Sequence, residues 1–593
     1  MEKHVVSFRR KMIFSSLFSL PFSFLMVLGY SFSKTHSFQF FDSCKSFISF
    51  CVISLIAFGI MYAVLSRMSV PKESELSKNC RKVRHPFFSA WVLIIVAWIP
   101  YYALFAPGLG FYDSLWQLSQ FYGYTSYNSQ HPVLATLVIG VLFSIGKPLG
   151  ANSQFFIYTS IQVLLVSAVL AFIAWFVYQR LFVAEGEERI NRVFCLWCVL
   201  VGFSALNPLF PLYSLSVLKD VPYAAAIAVM TVLLVEVIGD KKVINERTFA
   251  VLFSCAFMVM SVFRNEGLII AIACAALVSF VQVKDKKKLY TFLSVGLVGV
   301  VAVASLMSSA LINPQKGSRI EMLTIPVQQI SREVRDNPSS FTADEKKKLN
   351  EMLVDDALWS DLGAKYLPEL VDPVKVLFRK DFSLRAFLKV WGRHLVIHPD
   401  TYLSATFSGT FGFFYPCRAS IGQGSVYDSF QWMNSQTVSG WKQYMGVPDE
   451  ELYPTYLGET ENLREKFLQS FAKLYKIPVV NLIVKPGTYF WIGCLAICLA
   501  CFKRNYKLLI AMVPCVLVFC VCLLSPVNES ARYALPLVFS APVLLIISAC
   551  MPFNRLENGS GRISHCRLYI PRNCIFDCVE QSDMTTIQKP NNR

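Results

Sequence analysis

Long apolar runs separated by short polar segments make up most of this chain. A helix needs about 20 residues to cross roughly 30 Å of hydrocarbon, and many of the runs have about that length. Each predicts a membrane-spanning helix. Twelve can be marked, over residues 11–33, 46–66, 86–106, 153–178, 193–213, 221–238, 248–263, 266–283, 289–312, 486–502, 508–524 and 532–551.

A further apolar run, residues 132–149, is predicted not to cross. Clusters of Lys and Arg mark cytoplasmic loops, and here they alternate with the spans in the right order. They are Arg9–Lys11, Arg67–Arg84, Arg180–Arg192, Lys241–Arg247, Lys284–Lys288 and Lys503–Lys507. A crossing at 132–149 would place every later cluster outside. We therefore expect a juxtamembrane or re-entrant helix on the outer face, with both termini cytoplasmic.

The predicted fold class is an all-α polytopic membrane protein with about twelve transmembrane helices and a large outer loop domain. A cell (plasma) membrane location follows from the same pattern. The chain divides into five parts. They are two N-terminal helices with a basic loop at 1–85, a membrane core at 86–312 with an outer loop at 107–152, an extracytoplasmic domain at 313–485, three helices at 486–551, and a cytoplasmic tail at 552–593, expected to be disordered.

Composition excludes a soluble enzyme. Of the 593 residues, 54% are hydrophobic and only 16% are charged, with a mean hydropathy of +0.47, values too apolar for a water-soluble chain of this length. The net charge of +17 lies in short clusters between apolar runs, so it reports topology and predicts no nucleic-acid partner.

The outer segment 107–131 holds a single carboxylate, Asp113, and no Lys or Arg. Helical spacing places Asp113, Gln117 and Gln120 on one face, and His131 follows before Pro132. This pattern is a polar stripe on an interfacial helix and a candidate functional site. It is equally compatible with an amphipathic helix lying flat on the membrane, or with Asp113 as a helix cap.

Further ionisable residues stand at the outer ends of spans, where charge is costly. Lys219 and Asp220 precede one span, Arg264 and Glu266 form a tight turn, and Arg532 and Tyr533 begin the last span. A guanidinium matches phosphate oxygens in geometry, so Arg532, Lys219 and Arg264 are candidate phosphate ligands. Helix capping by Asp220, a structural Arg–Glu pair and snorkelling of Arg532 and Tyr533 are the alternatives.

No metal site is predicted. His394 and His398 have i, i+4 spacing, but the sequence between them lacks the Glu of a zinc-hydrolase HExxH motif. A Gly-rich phosphate loop is also absent from the sequence, which argues against a nucleotide-driven pump.

Four motifs together resemble a group of largely uncharacterised bacterial multi-span proteins and, more distantly, the GT-C superfamily of polyprenyl-phosphate-sugar-dependent glycosyltransferases. They are PGLGFYDSLWQLSQ (Pro107–Gln120), QHP (Gln130–Pro132), Lys219-Asp220 and SARYALPL (Ser530–Leu537). The likeness covers about 86–312 and the last span, and does not extend through 313–485. The paired acidic motif of metal-dependent members is missing, and the two N-terminal spans are additional.

The resemblance implies a GT-C-like bundle and a glycosyltransferase, specifically a hexosyltransferase. It would transfer a sugar from a polyprenyl-phosphate donor to a cell-envelope glycan or lipid acceptor. Asp113 would be the catalytic base, supported by Gln117, Gln120 and His131. Arg532, Lys219, Arg264 and Tyr533 would hold the donor phosphate, with Asp220 and Glu266 as secondary acidic candidates. No cofactor is certain, and a divalent metal lacks the support of a paired acidic motif.

Two other function classes remain open. A flippase or exporter of lipid-linked sugars would also need buried and outer charges, although transporters usually show inverted repeats. A glycan polymerase or ligase would depend more on Arg393 and His394 in the late outer loop than on Asp113.

Overall fold

The computed structural model describes most of the chain in side-chain detail. The described residues are 2–68, 83–185, 190–239, 247–281, 287–315, 317, 319–418, 452–525 and 527–550. Most residues of the basic loops around 69–82, 240–246 and 282–286, and the tail from 551, lie outside this set. The predictions made for those segments therefore stay predictions.

The described part of the chain is all-helical, and its only β-type pairing consists of isolated bridges. Twelve of the described helices lie within residues 2–312, and most of them coincide with the apolar runs. They are α1 Glu2–Thr35, α2 Cys44–Met68, α3 Pro86–Phe105, α4 Tyr112–Phe121, α5 Val133–Ser144, α6 Ala151–Glu185, α7 Ile190–Leu206, α8 Leu209–Ser214, α9 Asp220–Gly239, α10 Arg247–Phe263, α11 Asn265–Val281 and α12 Lys287–Ile312.

Shorter helices dominate the segment that follows, and three apolar helices close the described chain. They are α13 Thr324–Asp336, α14 Ala343–Met352, α15 Trp359–Ala364, α16 Asp372–Lys375, α17 Leu384–Ile397, α18 Pro399–Ser408, α19 Glu461–Tyr475, α20 Pro486–Phe502, α21 Leu509–Leu523 and α22 Ala531–Cys550.

Eight of the described helices are long and apolar enough to cross a membrane, which indicates a multi-pass membrane protein. They are α1, α2, α3, α6, α9, α12, α21 and α22, with α21 counted from Tyr506. The other four predicted spans correspond to the shorter apolar helices α7, α10, α11 and α20. The run 132–149, which was predicted not to cross, contains the short helix α5, and whether it crosses stays a prediction.

One predicted span, 193–213, is interrupted. Helix α7 ends at Leu206, and the short α8 starts only at Leu209. Pro208 lies between them and has no backbone N–H to continue the helical hydrogen bonds. Asn207 fills the gap, because its Oδ1 accepts from the backbone N–H of Leu209 at 3.1 Å and its Nδ2 donates to Tyr489 Oη at 2.8 Å.

Helix α9 is the central element of the bundle. Almost all of its side chains from Asp220 to Ile238 are buried, and it packs against α10, α22, α6 and α21. By contrast α2 and α12 leave apolar side chains such as Leu55 and Leu311 exposed. Such faces suit hydrocarbon, because the apolar surface they present cannot be solvated well by water.

Residues 319–397 bury a hydrophobic core of their own, separate from that of the apolar helices. It includes Val327 and Ile330 of α13, Leu349 of α14 and Phe387 of α17. Sequence signals set the limits of these helices. A capping box of Thr342 and Glu345 starts α14, and Ser383 accepts from the N–H of Ala386 at the start of α17.

Candidate active site

Six charged side chains from four separate segments meet where α9 begins, at one end of the bundle. One lies on α4, one lies in the first turn of α22, and four lie at or next to the N-terminal ends of α9 and α11. They are Asp113 of α4, Lys219 and Asp220 at the start of α9, Arg264 and Glu266 at the α10–α11 turn, and Arg532 at the start of α22. Every one was a candidate from the sequence, and we call this group the ion cluster.

Asp113 is held by two cations. Its Oδ2 lies 3.0 Å from Nη2 of Arg532 and 3.8 Å from Nζ of Lys219. Burial alone would raise the pKa of Asp113, but Arg532 and then Lys219 outweigh it and hold the pKa well below its usual range. The carboxylate is therefore ionised and, in this arrangement, a weak base.

Asp220 forms the other half of the ion cluster. Its side chain is fully buried and pairs with Arg264, while its Oδ2 lies 3.5 Å from Nε of Arg532. Glu266 pairs with the same Arg264. Burial would lower the pKa of Arg264, but Asp220 and Glu266 raise it above its usual value. Arg532 thus bridges Asp113 and Asp220.

Aromatic rings enclose the two guanidinium groups. Tyr533 has its ring centroid 4.8 Å from Cζ of Arg532 and 5.1 Å from Cζ of Arg264, and Phe111 lies 5.3 Å from Arg532. Arg532 Nη2 also donates to Tyr533 Oη at 3.1 Å. These contacts direct Arg532 into the ion cluster, so the snorkelling alternative is wrong for this side chain.

His131 completes the site on the side of Lys219. The ammonium of Lys219 hydrogen-bonds to Nδ1 of His131. Burial, followed by Lys219, lowers the pKa of His131 to about 4. Burial also lowers the pKa of Lys219, to about 8, against the opposing effect of Asp113 and Asp220. At neutral pH His131 is therefore uncharged, and its Nδ1 accepts a hydrogen bond from the charged ammonium of Lys219.

The ion cluster is balanced in charge. Three cations, Lys219, Arg264 and Arg532, face three carboxylates, and each cation contacts at least one of them. An incoming anion would therefore meet cations that already contact carboxylates.

Backbone pairing brings the loop before α4 to the start of α9. Leu109 and the segment around Ser216 form a parallel bridge, with the N–H of Leu109 donating to Leu215 O at 2.8 Å and the N–H of Val217 donating to Leu109 O at 3.0 Å. Gly108 adopts a φ of +150°, and a Cβ there would lie 2.6 Å from the Thr159 side chain. The close approach therefore requires glycine.

The two glutamines on the Asp113 face have a different place from the one expected. Gln117 and Gln120 are buried, which excludes a helix lying flat with a solvated polar face. Gln117 Nε2 donates to Thr136 Oγ1 of α5 at 3.0 Å, so it ties α4 to α5. The partners that hold Asp113 are Arg532 and Lys219, and the expectation that Gln117 orients it is not supported by any described contact.

A second buried charge network was missed by sequence reasoning. Glu529 pairs with Lys485 and accepts from Tyr475 Oη at 2.8 Å, and Arg418 Nη1 lies 2.6 Å from Glu369 Oε2 and 3.9 Å from Glu529 Oε2. Its signal in the sequence was a charged residue just before each of two apolar helices, with Lys485 directly before α20 and Glu529 two residues before α22.

This network holds the segment that directly precedes α22. Asn528 Nδ2 donates to Glu369 at 3.0 Å, and Asn528 Oδ1 accepts from the N–H of Gly412 at 2.7 Å. Glu529 adopts a left-handed φ of 62°, which a non-glycine residue takes only when its surroundings enforce it. The chain then enters α22, and Arg532 is its second residue.

One set of metal-type ligand atoms occurs among the described residues, away from the ion cluster. It consists of Glu333 of α13 with His394 and His398 at the end of α17. The acidic residues of the ion cluster do not form such a set within the described chain, and they are already paired with cations.

Comparison with known proteins gives a family and no activity. No curated protein and no solved structure matches the chain. The sequence profile of DUF6020, described as a family of unknown function, matches residues 122–561. This range contains His131, Lys219, Arg264 and Arg532, and begins after Asp113. Because it covers well over half of the sequence, the chain belongs to the DUF6020 family.

Proposed function

We propose that this protein is a membrane glycosyltransferase of GT-C type. It transfers a sugar from a polyprenyl-phosphate donor to a cell-envelope glycan or lipid acceptor, at the face of the membrane where the ion cluster lies. The observation that carries the proposal is the contact of Asp113 with both Arg532 and Lys219 at the end of a bundle of apolar helices. This contact supports the proposal because it joins the proposed base to two of the proposed phosphate ligands.

The donor phosphate replaces Asp113 as the partner of Arg532. Of the two carboxylates on Arg532, Asp220 is fully buried and Asp113 is one-fifth exposed. Asp220 therefore stays in place and holds the guanidinium, while Asp113 yields to the phosphate. The lipid tail of the donor remains in the hydrocarbon beside the apolar helices.

Displacement turns Asp113 into a usable base. While it is paired, Arg532 and Lys219 keep its pKa too low for efficient proton abstraction. A base works best when its pKa lies near the working pH. Once the phosphate takes up the two cations, the pKa of Asp113 rises, so donor binding itself activates the base.

The reaction then needs no general acid. The acceptor hydroxyl oxygen attacks the anomeric carbon, and the bond from that carbon to the phosphate oxygen breaks. Asp113 takes the hydroxyl proton, and polyprenyl phosphate leaves with the bonding electron pair. Arg532 and Lys219 stabilise the extra negative charge on the phosphate, which is the part of the transition state where charge develops.

The proposed architecture is a GT-C-like bundle with twelve crossings, both termini cytoplasmic and residues 313–485 outside at the plasma membrane. The shorter apolar helices α7, α10, α11 and α20 supply four crossings in addition to the eight longer ones. Support comes from the ion cluster, whose charges from α4, α9, α11 and α22 lie at one end of the bundle, as the alternation of basic clusters requires.

The test is sugar transfer by the purified full-length protein. The chain is incubated with radiolabelled polyprenyl-phosphate sugars and an envelope glycan, and the label in the glycan is measured. We expect Asp113→Asn to reduce turnover by about 10²- to 10⁴-fold. The control is Asp355→Asn, which removes an exposed carboxylate distant in sequence and outside the ion cluster. Equal turnover in the two variants would contradict the assignment of Asp113.

The same assay separates the competing functions. An exporter would move the labelled lipid across vesicles of the reconstituted protein without transferring its sugar. A polymerase or ligase centred on the outer region would keep turnover in Asp113→Asn and lose it in Arg393→Ala.

A further inference from the structure

Two histidines and a glutamate from different helices meet in the region between α12 and α19. His394 lies in the last turn of α17, His398 directly follows that helix, and Glu333 comes from α13. Nδ1 of His394 lies 3.3 Å from Oε1 of Glu333, and Nδ1 of His398 lies 2.6 Å from the same oxygen. The three ligand atoms are all within 4.8 Å of one another.

The charge of Glu333 has no fixed counter-ion among the described residues. Its side chain is fully buried, and the ionisable partners within ion-pair distance in the described part of the chain are the two histidines. Neighbouring arginines are engaged elsewhere, since Arg332 pairs with Asp336 and Arg393 with Glu345. A buried carboxylate without a permanent cation is costly, and a bound divalent ion would remove that cost.

Hydrogen bonds around the group orient it as metal ligands are usually oriented. Asn337 Nδ2 donates to Oε2 of Glu333 at 2.9 Å, and Ser340 Oγ donates at 3.2 Å to Oε1, the oxygen that also faces the histidines. Nε2 of His394 has no hydrogen-bond partner among the described residues and lies 3.7 Å from Oε2 of Glu345. Ligating histidines typically donate their second N–H to a carboxylate, and Glu345 is the carboxylate on that side of His394.

Packing fixes one ring and leaves the other adjustable. The ring of Phe341 stacks on His394 with centroids 3.9 Å apart, and the His394 side chain is fully buried. His398 is 30% exposed, so its ring can move outward and a fourth position can be reached by water. Zinc bonds of about 2.0–2.1 Å place neighbouring ligand atoms about 3.3 Å apart, which Glu333 and His394 already satisfy.

We propose that Glu333, His394 and His398 form a divalent metal site, with Zn²⁺ as the preferred ion and one coordination position open to solvent. Two imidazoles and a carboxylate are a common ligand set for zinc with an open position. The bound ion links α13 to the end of α17, and this inference does not depend on the proposed sugar transfer.

The experiment measures zinc in the full-length protein. The chain is purified in detergent through a tag without histidines, loaded with zinc and dialysed, and its metal content is determined by mass spectrometry. We expect about one Zn²⁺ per chain, as three ligands from a single site require. Zinc should raise the Tm of the wild-type protein, and a chelator should reverse that rise.

Two variants identify the ligands. Glu333→Gln keeps the shape and hydrogen-bonding capacity of the side chain, and His398→Gln changes a partly exposed residue, so both should fold. Each is expected to lose the bound zinc and the Tm response. The control is His85→Gln, which removes an exposed histidine at the start of α3 and should behave like the wild type.

Wild-type protein without bound zinc, and without a Tm response to added zinc, would overturn the proposal. So would zinc retained equally by the wild type, Glu333→Gln and His398→Gln. Since the wild-type measurement decides by itself, failure of a variant to fold leaves the test intact.

Discussion

Nη2 of Arg532 lies 3.0 Å from Oδ2 of Asp113, although the two residues stand at opposite ends of the membrane region of the sequence. The contact joins the loop helix α4 to the first turn of the last helix α22. Because Asp113 is paired with Arg532, Asp113 and the donor phosphate compete for this guanidinium in the proposed mechanism. Donor binding and catalysis are therefore expected to be coupled through this pair.

Removing the carboxylate should separate the two roles. In Asp113→Asn, Arg532 and Lys219 lose a competing anion, so we expect the donor to bind up to about tenfold more tightly while turnover collapses. The Kd of a labelled polyprenyl-phosphate sugar, measured with the purified variant, checks this. Weaker donor binding in a folded Asp113→Asn protein would contradict displacement of Asp113 by the phosphate.

The guanidinium of Arg532 should matter beyond its charge. Arg532→Lys keeps a cation but loses the planar fork that contacts Asp113 and Asp220, so donor binding should weaken by about 1–3 kcal/mol. Arg379→Lys is the matched control, because Arg379 is half exposed and pairs with the exposed Asp355. Donor affinity unchanged in Arg532→Lys would remove this residue from the phosphate site.

Hydropathy predicted the helices well, because crossing length and apolar composition are local properties of the sequence. Helix α9 runs over Asp220–Gly239 where the sequence predicted 221–238, and α20 matches 486–502. The break after Leu206 was missed, since an apolar window averages over Pro208 and conceals its missing N–H. Four of the twelve predicted spans are shorter apolar helices, so the number of crossings stays a prediction.

The residue types of the site could also be found from the sequence, but their partners could not. Asp113, Lys219, Arg264 and Arg532 stood out because ionisable groups beside apolar spans are costly. Which pairs form depends on contacts between helices far apart in the chain. Helical spacing therefore suggested Gln117 as the neighbour of Asp113. In the structure, the described hydrogen-bond partner of Gln117 is Thr136.

For the same physical reason, local motif reasoning could not bring Glu333 together with His394 and His398. The HExxH pattern requires the glutamate on the helix that carries the histidines, and none is present there. The fold supplies Glu333 from α13 instead. A ligand set divided between two helices leaves no contiguous signature.

Donor binding should depend on pH through Lys219. Its lowered pKa of about 8 means that the ammonium is present below that pH and is lost as the pH rises through it. The groups that face it are Asp113, Asp220, Arg264 and Arg532, together with His131, to which it hydrogen-bonds. The donor is a phosphodiester and keeps its single charge, so we expect its Kd to increase between about pH 7 and pH 9.

Lys219→Arg provides the control for this profile. A guanidinium stays charged throughout the range, so the variant should bind the donor with little pH dependence. His131 is already uncharged above its pKa of about 4 and should contribute nothing to the change. A flat wild-type profile, or the same slope in Lys219→Arg, would show that Lys219 does not hold the phosphate.

The orientation of the chain can be tested with reporter fusions. Alkaline phosphatase fused after Asp400 should be active, and fused after Arg504 it should be inactive, because basic clusters stay in the cytoplasm. A cysteine at Leu149, an exposed position after α5, should react with a membrane-impermeant reagent added outside, above the wild-type signal. Cytoplasmic labelling there would make α5 a crossing helix and reverse the later topology.

The last prediction concerns the buried pair of Glu529 and Lys485, whose side chains are almost completely inaccessible. Removing one partner leaves an uncompensated buried charge, so Glu529→Gln and Lys485→Met should each reduce stability by roughly 3–5 kcal/mol. The double variant leaves neither charge and should lose less than the sum of the two. Urea or thermal unfolding of the detergent-solubilised protein measures the stability of all three variants.

Since this network fixes the start of α22, each single variant should also weaken donor binding through Arg532, and the double variant should recover part of that binding. Strictly additive losses of stability would show that the two side chains are not coupled, and unchanged donor binding in both single variants would show that Arg532 is positioned by other contacts.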